Sequence, residues 1–328
     1  MTTARHLIAL LKSHIAGDEV RFLSTAMQVA AHEARQGHGK LAQELRDLID
    51  EAKAKGAALE KKGGPVPIVQ PKGELASLLT AYYPDIRLAD MALPESLKLQ
   101  LNRVLLEQHQ QERLRGHELR PRRKLLLVGP PGSGKTMTAT ALAGELRLPL
   151  LTVVLDGLIT KFLGETAGKL RLVFDAMTAT RGVYFFDEFD AIGAKRSERH
   201  DVGEIRRVLN SFLQFLEQDD SRGLVIAATN HPRLLDTALF RRFDDVIEYA
   251  LPDAGLIERL LKTRLSNFET KGVVWDELTE GAVGLSQAEI VKAAEDAAKA
   301  AVLANHKRID STELNMAIAE RRRATLSK

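Results

Sequence analysis

The sequence predicts an α/β fold. A parallel five-stranded sheet lies between helices, a small C-terminal helical lid follows it, and a small N-terminal helical unit precedes it. Three observations predict this. Short apolar runs recur at Lys124–Val128, Leu150–Leu155, Val183–Asp187, Leu224–Thr229 and Val246–Tyr249, with helical stretches between them. Such alternation gives a parallel sheet covered on both faces. The first run feeds a glycine-rich turn that opens a helix rich in Ala, Thr and Leu, a combination that makes a P-loop NTPase αβα sandwich. After Pro252 the strand-like runs stop, and Ile257–Asn267, Gln287–Ala304 and Ser311–Arg323 read as helices.

In chain order, residues 4–54 read as three helices. Leu7, Leu10, Leu11 and Ile15 share one face; Phe22, Ala26, Val29 and Ala30 share a second; Leu41, Leu45, Leu48 and Ile49 share a third. Residues 1–60 are therefore expected to form an N-terminal helical domain, and resemblance to other chains gives it the role of an adaptor domain. The run Lys61-Lys62-Gly63-Gly64-Pro65 and its continuation give a linker over 61–75. A helix is expected at Glu95–Arg115, within a large αβα domain over 76–251, and the helical lid occupies 252–328.

The 328 residues contain no cysteine, which excludes disulfides, zinc–thiolate sites and thiol catalysis. Net charge is only +3, so nucleic-acid binding is neither demanded nor excluded. Met1–Ala16 carries charge among its apolar residues, and no apolar run is long enough to span a bilayer; the expectation is a soluble cytoplasmic protein.

The chemistry centres on Gly129-Pro130-Pro131-Gly132-Ser133-Gly134-Lys135-Thr136, which fits G-x-x-x-x-G-K-[ST]. Loop and helix-start N–H groups suit phosphate oxygens, Lys135 suits the β- and γ-phosphates, and the Thr136 hydroxyl suits Mg²⁺. Met137 follows in the first helical turn. The apolar strand Tyr184-Phe185-Phe186 ends in Asp187-Glu188. Asp187 is expected to hold Mg²⁺ and Glu188 to act as general base on the attacking water. A second buried strand ends in Asn230, placed to position that water. Adjacent Arg241 and Arg242 suit the charge of a transferring phosphoryl group.

These motifs, in this order, resemble the AAA family of ATPases, in the protein-remodelling group that includes katanin- and spastin-like enzymes and the ATPase domain of membrane-bound bacterial proteases. The resemblance covers roughly residues 85–305 and rests on Gly129–Thr136, Phe185–Gly193, Ala227–Asn230, Leu235–Asp244 and Gly284–Ile290. It implies that Arg241 and Arg242 are trans-acting fingers in a hexameric ring of identical subunits. It also implies that Met91, Ala92, Gln287 and Ala288 flank the adenine of ATP, and that Lys161, Phe162 and Leu163 line a central pore that grips a polypeptide. The segment 198–204 reads equally as a second, charged pore loop or as a solvated surface loop. In the lid motif G-x-S-G-A-D, Gln287 and Glu289 stand in place of Gly and Asp.

The expected function is ATP hydrolysis by a ring that unfolds, threads or disassembles proteins. The N-terminal helices would bind the substrate or an adaptor, and a separate protease would be a possible partner. His32-Glu33-Ala34-Arg35-Gln36 lacks the second histidine of a zinc-protease motif, so this chain is not expected to cleave peptides. The alternative is a nucleic-acid motor or helicase- or clamp-loader-like ATPase. Its support is the basic stretches Arg120–Lys124 and Arg321–Arg323, which read more simply as solvated loop and helix-end charge.

Overall fold

The computed structural model describes residues 70–158, 163–190, 202–235 and 237–326, with isolated positions between 26 and 47. The chain divides into two compact units, Met1–Ile68 and Val69–Lys328. The expected N-terminal helices lie almost wholly outside the described residues, as do Lys161 and Phe162.

Six strands form one sheet: β1 Leu79–Tyr82, β2 Lys124–Val128, β3 Leu150–Val153, β4 Val183–Phe186, β5 Leu224–Thr229 and β6 Asp245–Glu248. Their order is β1-β3-β4-β5-β2-β6. Strands β2 to β6 are parallel, and β1 joins the edge antiparallel to β3. The sequence predicts the five parallel strands; β1 is an addition. Its four residues alternate in burial at an edge, and only the long-range pairing Leu79↔Val153 to Tyr82↔Leu150 defines them.

β4 and β5 are buried along their whole length, which is why they read as unbroken apolar runs. Successive side chains still point to opposite faces. Leu125, Leu127, Phe185 and Ile226 face one core, packed under α1 Glu95–His109 and α2 Lys135–Leu146. Leu126, Tyr184, Phe186 and Val225 face the other, packed under α3 Leu163–Ala179 and α4 Val202–Gln218. The small residues Ala139, Ala141 and Ala143 let α2 lie close on the sheet, which holds its N-terminus, and the glycine-rich turn before it, at the strand ends. The expected single helix Glu95–Arg115 breaks after His109, and Gln111–Arg115 forms a separate short helix.

The lid has its own core, around Ile257, Leu261, Leu278, Ile290, Ala294 and Ile318. It comprises α5 Ala254–Arg264, α6 Trp275–Ala282, α7 Gln287–Leu303 and α8 Ser311–Leu326. Asp253 caps α5 by accepting the Leu256 N–H, and Ser286 caps α7 by accepting the Glu289 N–H. Helix α6 is absent from the sequence reading, because its eight residues fall short of a clear helical period.

The basic stretches are only in part the solvated charge expected of them: Arg120, Arg322 and Arg323 are exposed, and Arg122, Arg123 and Arg321 are engaged. Arg123 is only 8% exposed, and its guanidinium donates to the side chain and carbonyl of Asp219 and to Ser221 Oγ. Arg122 pairs with Glu107 at 3.0 Å, and Arg321 pairs with Asp296 in the lid.

Under β4, the ring of Phe212 lies 4.7 Å from that of Phe189, 5.1 Å from Phe186 and 5.7 Å from Phe174. All but Phe174 are fully buried. Phe189 directly follows Asp187-Glu188, so this aromatic cluster supports the acidic turn from beneath. Phe212→Ala is expected to cost about 3–5 kcal/mol, read as a fall in the urea midpoint. A change within error would show that the cluster does not carry the fold.

Candidate nucleotide site

The glycine-rich turn starts from a strand that is paired on both sides. β2 lies between β5 and β6, and the Gly129 N–H still reaches Thr229 O at 3.3 Å. The loop ends at Gly134, the residue before α2, with φ +97°. From below, Tyr249 Oη donates to Thr138 Oγ1 at 2.6 Å, and Thr138 Oγ1 donates to Gly134 O at 3.1 Å. Burial pushes the pKa of the Tyr249 phenol well above its usual range, so its hydroxyl stays a donor.

Lys135 opens α2 and is 6% exposed. Its ammonium donates to Gly129 O and Pro130 O, both at 2.8 Å. Burial lowers its pKa, and the nearby Asp187 and Asp190 carboxylates oppose that. A desolvated cation at the start of a helix attracts anions strongly. Thr136 Oγ1 donates to Asp187 Oδ2 at 2.8 Å, which joins the loop to the end of β4. The other oxygen of Asp187 accepts the Glu188 N–H at 2.9 Å.

Glu188 is exposed and has φ +48°, a left-handed backbone that bulky residues rarely adopt. That turn throws its carboxylate out of the strand, and among the described residues the carboxylate has no hydrogen-bond donor. Two bonds tie the acidic turn to β5: Phe189 N–H to Ala228 O at 2.8 Å, and Asn230 N–H to Asp190 Oδ1 at 3.3 Å. Glu188 and half-buried Asn230 thus sit on neighbouring strand ends beside the loop.

The lid closes the other side. The Ala288 N–H donates to Gly132 O at 3.0 Å. Gly132 has φ +73°, and a Cβ there would lie 2.7 Å from Ser286 Oγ and 2.9 Å from Ala288 Cβ. Gln287 Oε1 and Met91 Cε approach the Cβ position of Gly134 to 3.6 and 3.7 Å. Ala92 packs on the lid core, and Met137 is 39% exposed on the first turn of α2. Met91, Ala92, Gln287 and Ala288 therefore gather around the loop. Pro130 is half-buried and Pro131 and Ser133 complete the turn, Ser133 Oγ lying 3.4 Å from Lys135 Nζ.

Arg241 and Arg242 are not at this loop. They precede β6, and Asp245 of β6 pairs with Leu125 of β2 in parallel register. The loop follows the opposite end of β2. Five strand residues span about 17 Å, longer than any side chain. Arg242 forms an ion pair with Glu217, whereas Arg241 is exposed and makes none among the described residues. Leu163 begins α3, but its side chain is outside what is described; of 198–204, Val202–Glu204 already belong to α4. Tyr249, Thr138, Ser286 and Asp244 are structurally engaged residues that the sequence reading missed. None stands out by type; Asp244 and Ser286 lie inside motifs that were read, and Tyr249 closes an expected strand, but no role was read for any of them.

A phosphate-type loop after an inner strand of a mostly parallel sheet, with an acid pair at the end of the next strand but one, defines a P-loop nucleoside triphosphatase. A profile of the ATPase family associated with various cellular activities (AAA) matches residues 125–251. The chain is 35% identical over 312 residues to the "Uncharacterized AAA family ATPase y4kL" of Sinorhizobium fredii, covering 94% of this chain and 93% of that protein. It is 42% identical over 177 residues to the proteasome-activating nucleotidase of Thermococcus kodakarensis, 51% of this chain and 44% of the relative. It is 32% identical over 247 residues to the ATP-dependent zinc metalloprotease FtsH 1 of Methylacidiphilum infernorum, 73% of this chain and 39% of the relative. These two matches span less than half of the relatives' own length. The crystal structure of the FIGL-1 AAA domain superposes with a TM-score of 0.60 at 24% identity, over 74% of this chain and 85% of that one, a likeness of fold.

The chain belongs to the AAA family of ATPases, and it is an ATP-hydrolysing enzyme.

The closeness of loop and lid generates a prediction. Gly132→Ala places a methyl group against Ser286 and Ala288 at a strained φ. It is expected to raise the ATP dissociation constant about tenfold or more, or about 1.4 kcal/mol, by calorimetry. Unchanged affinity would show that the lid contact can be lost without consequence for the loop.

Proposed function

We propose that the chain works as a hexameric ring of identical subunits in which each ATP is held by one subunit's loop and hydrolysed with an arginine from the next. The observation that carries this reading is the placement of Arg241 and Arg242 at the far end of β2 and β6 from their own loop. An arginine there serves a neighbour or serves no phosphate at all.

The chemistry follows from the residues present. The loop N–H groups and Lys135 bind the phosphates and neutralise their charge. Thr136 and Asp187 offer two hard oxygen donors, hydrogen-bonded to each other, which fit a Mg²⁺ ion. When bound, that ion supplies charge screening on the β- and γ-phosphates. Glu188 accepts a proton from water as the water oxygen attacks the γ-phosphorus, and the bond to the ADP oxygen breaks, leaving ADP and phosphate. Asn230 orients that water, and its own backbone is fixed by Asp190. Arg241 of the neighbour stabilises the transferring phosphoryl charge. Met91, Ala92, Gln287 and Ala288 frame the adenine, Met137 and Pro130 the sugar–phosphate side.

The work done is remodelling of proteins. Lys161, Phe162 and Leu163 form the pore segment that grips an extended polypeptide, and the N-terminal residues 1–60 recruit the substrate or its adaptor. The relatives' names, a nucleotidase that activates a proteasome and ATP-dependent metalloproteases, support a link to protein degradation, with a separate protease as partner. No helix among the described residues is long and apolar enough to cross a membrane, which is compatible with action in the cytoplasm. The nucleic-acid alternative gains nothing from Arg122 and Arg123, whose charges are engaged inside the fold.

Glu188→Gln is expected to lower kcat by about 10²–10⁴-fold while ATP binding persists; normal turnover would remove Glu188 as the base. Arg241→Ala is expected to lower kcat by about 10²–10³-fold with ATP affinity nearly unchanged. Phe162→Ala should abolish unfolding of a tagged model protein while ATPase activity remains. Unfolding at the wild-type rate would refute threading.

A further inference from the structure

The segment that carries Arg241 is held by an anchor that the nucleotide chemistry does not use. Asp244 is exposed, yet one of its carboxylate oxygens, Oδ2, accepts two backbone N–H groups, from Arg123 and Lys124, both at 2.9 Å. Its own N–H donates to Lys124 O at 2.8 Å. The β2–β6 ladder begins one residue later, at Leu125↔Asp245. Asp244 therefore extends the grip of β6 on β2 by side chain, at the point where the backbone turns away toward the arginines.

The receiving end is rigid too. Arg123 is 8% exposed, and its guanidinium is held by Asp219 and Ser221 just beyond the end of α4. Glu217, in the last turn of α4, pairs with Arg242. Phe243 and Leu239 are buried in the core on either side of the two arginines. Of the two arginines, Arg241 is the one without an ion pair among the described residues, and it lies exposed three positions from the Asp244 clamp. Acceptance of two successive backbone N–H groups by one carboxylate oxygen is charge-assisted and directional, which suits it to fix the aim of a short segment.

We propose that Asp244 is a positioning residue: it sets the aim of Arg241 toward the neighbouring subunit's phosphates by clamping the arginine segment to the start of β2. The inference rests on the reading of Arg241 as a trans-acting group. It assigns a direction to the coupling, because β2 carries the subunit's own phosphate loop at its other end. Loss of the clamp lowers the neighbour's turnover and leaves the subunit's own ATP binding alone.

The test uses full-length subunits in mixed rings. Wild-type protein is mixed with an excess of Glu188→Gln subunits, or with Glu188→Gln subunits that also carry Arg241→Ala, Asp244→Ala or Asp244→Glu. Co-assembly is followed with labelled subunits, and kcat and KM for ATP are measured per wild-type subunit. The Asp244→Ala and Asp244→Glu partners are expected to depress kcat about tenfold or more below the Glu188→Gln partner alone, toward the Arg241→Ala level, with KM unchanged. The glutamate variant keeps the charge and moves it by one methylene, so it separates position from net charge. Turnover equal to that with Glu188→Gln alone, while Arg241→Ala still depresses it, overturns the clamp and spares the trans arginine. Turnover untouched by Arg241→Ala overturns both. If Asp244→Ala subunits fail to enter rings, Asp244→Glu decides alone. Exclusion of both overturns the proposal in favour of a purely structural role.

Discussion

The structure depends on the constraint placed on strand β2. It is hydrogen-bonded on both sides, to β5 and to β6, and its inner residues Leu125, Leu126 and Leu127 are fully buried. It therefore cannot slide or twist without disrupting both cores. Its carboxyl end delivers the phosphate loop, and its amino end receives the Asp244 carboxylate. The two halves of the proposed chemistry hang on opposite ends of one rigid element. That separation keeps a side chain at position 241 away from its own loop, which is what the proposed sharing between subunits requires.

Within the loop, the electrostatics are those of a site built for an anion. Lys135 is buried and desolvated, and it borrows the carbonyls of Gly129 and Pro130 as partners. Thr136 and Asp187 bond to each other across the gap between α2 and β4. Each of these contacts uses a group with a second task suited to ATP and its metal ion. The lid contributes through the Ala288 N–H and the Ser286 side chain, which crowd Gly132 so closely that only glycine fits. The phosphate loop and the lid are thereby in direct contact.

Much of this was legible in the sequence, for reasons that differ by element. The five parallel strands showed because full burial demands unbroken apolar runs, as in Leu224–Thr229. The loop showed because its glycines, lysine and threonine are dictated by phosphate chemistry, and Asp187 and Glu188 because two acids at the end of an apolar strand are conspicuous. Strand β1 was illegible: its residues are half-exposed, and what makes them a strand is pairing with β3, about seventy positions away. Arg123 read as surface charge because its partners Asp219 and Ser221 are equally remote in sequence. Arg241 and Arg242 read as a matched pair, and their different environments appear only once Glu217 of α4 is brought beside one of them. Tyr249 looked like the end of a strand; its bond to Thr138 under the loop comes from the parallel packing of β6 on β2.

If catalysis needs Arg241 from a second copy, turnover per chain depends on association. The most direct measurement is ATPase activity per chain at saturating ATP, followed across a dilution series while oligomeric state is recorded by analytical ultracentrifugation. Activity per chain is expected to collapse as the assembly dissociates and to reach a plateau as it forms. A dissociated monomer that hydrolyses ATP at the full rate would contradict a site shared between subunits.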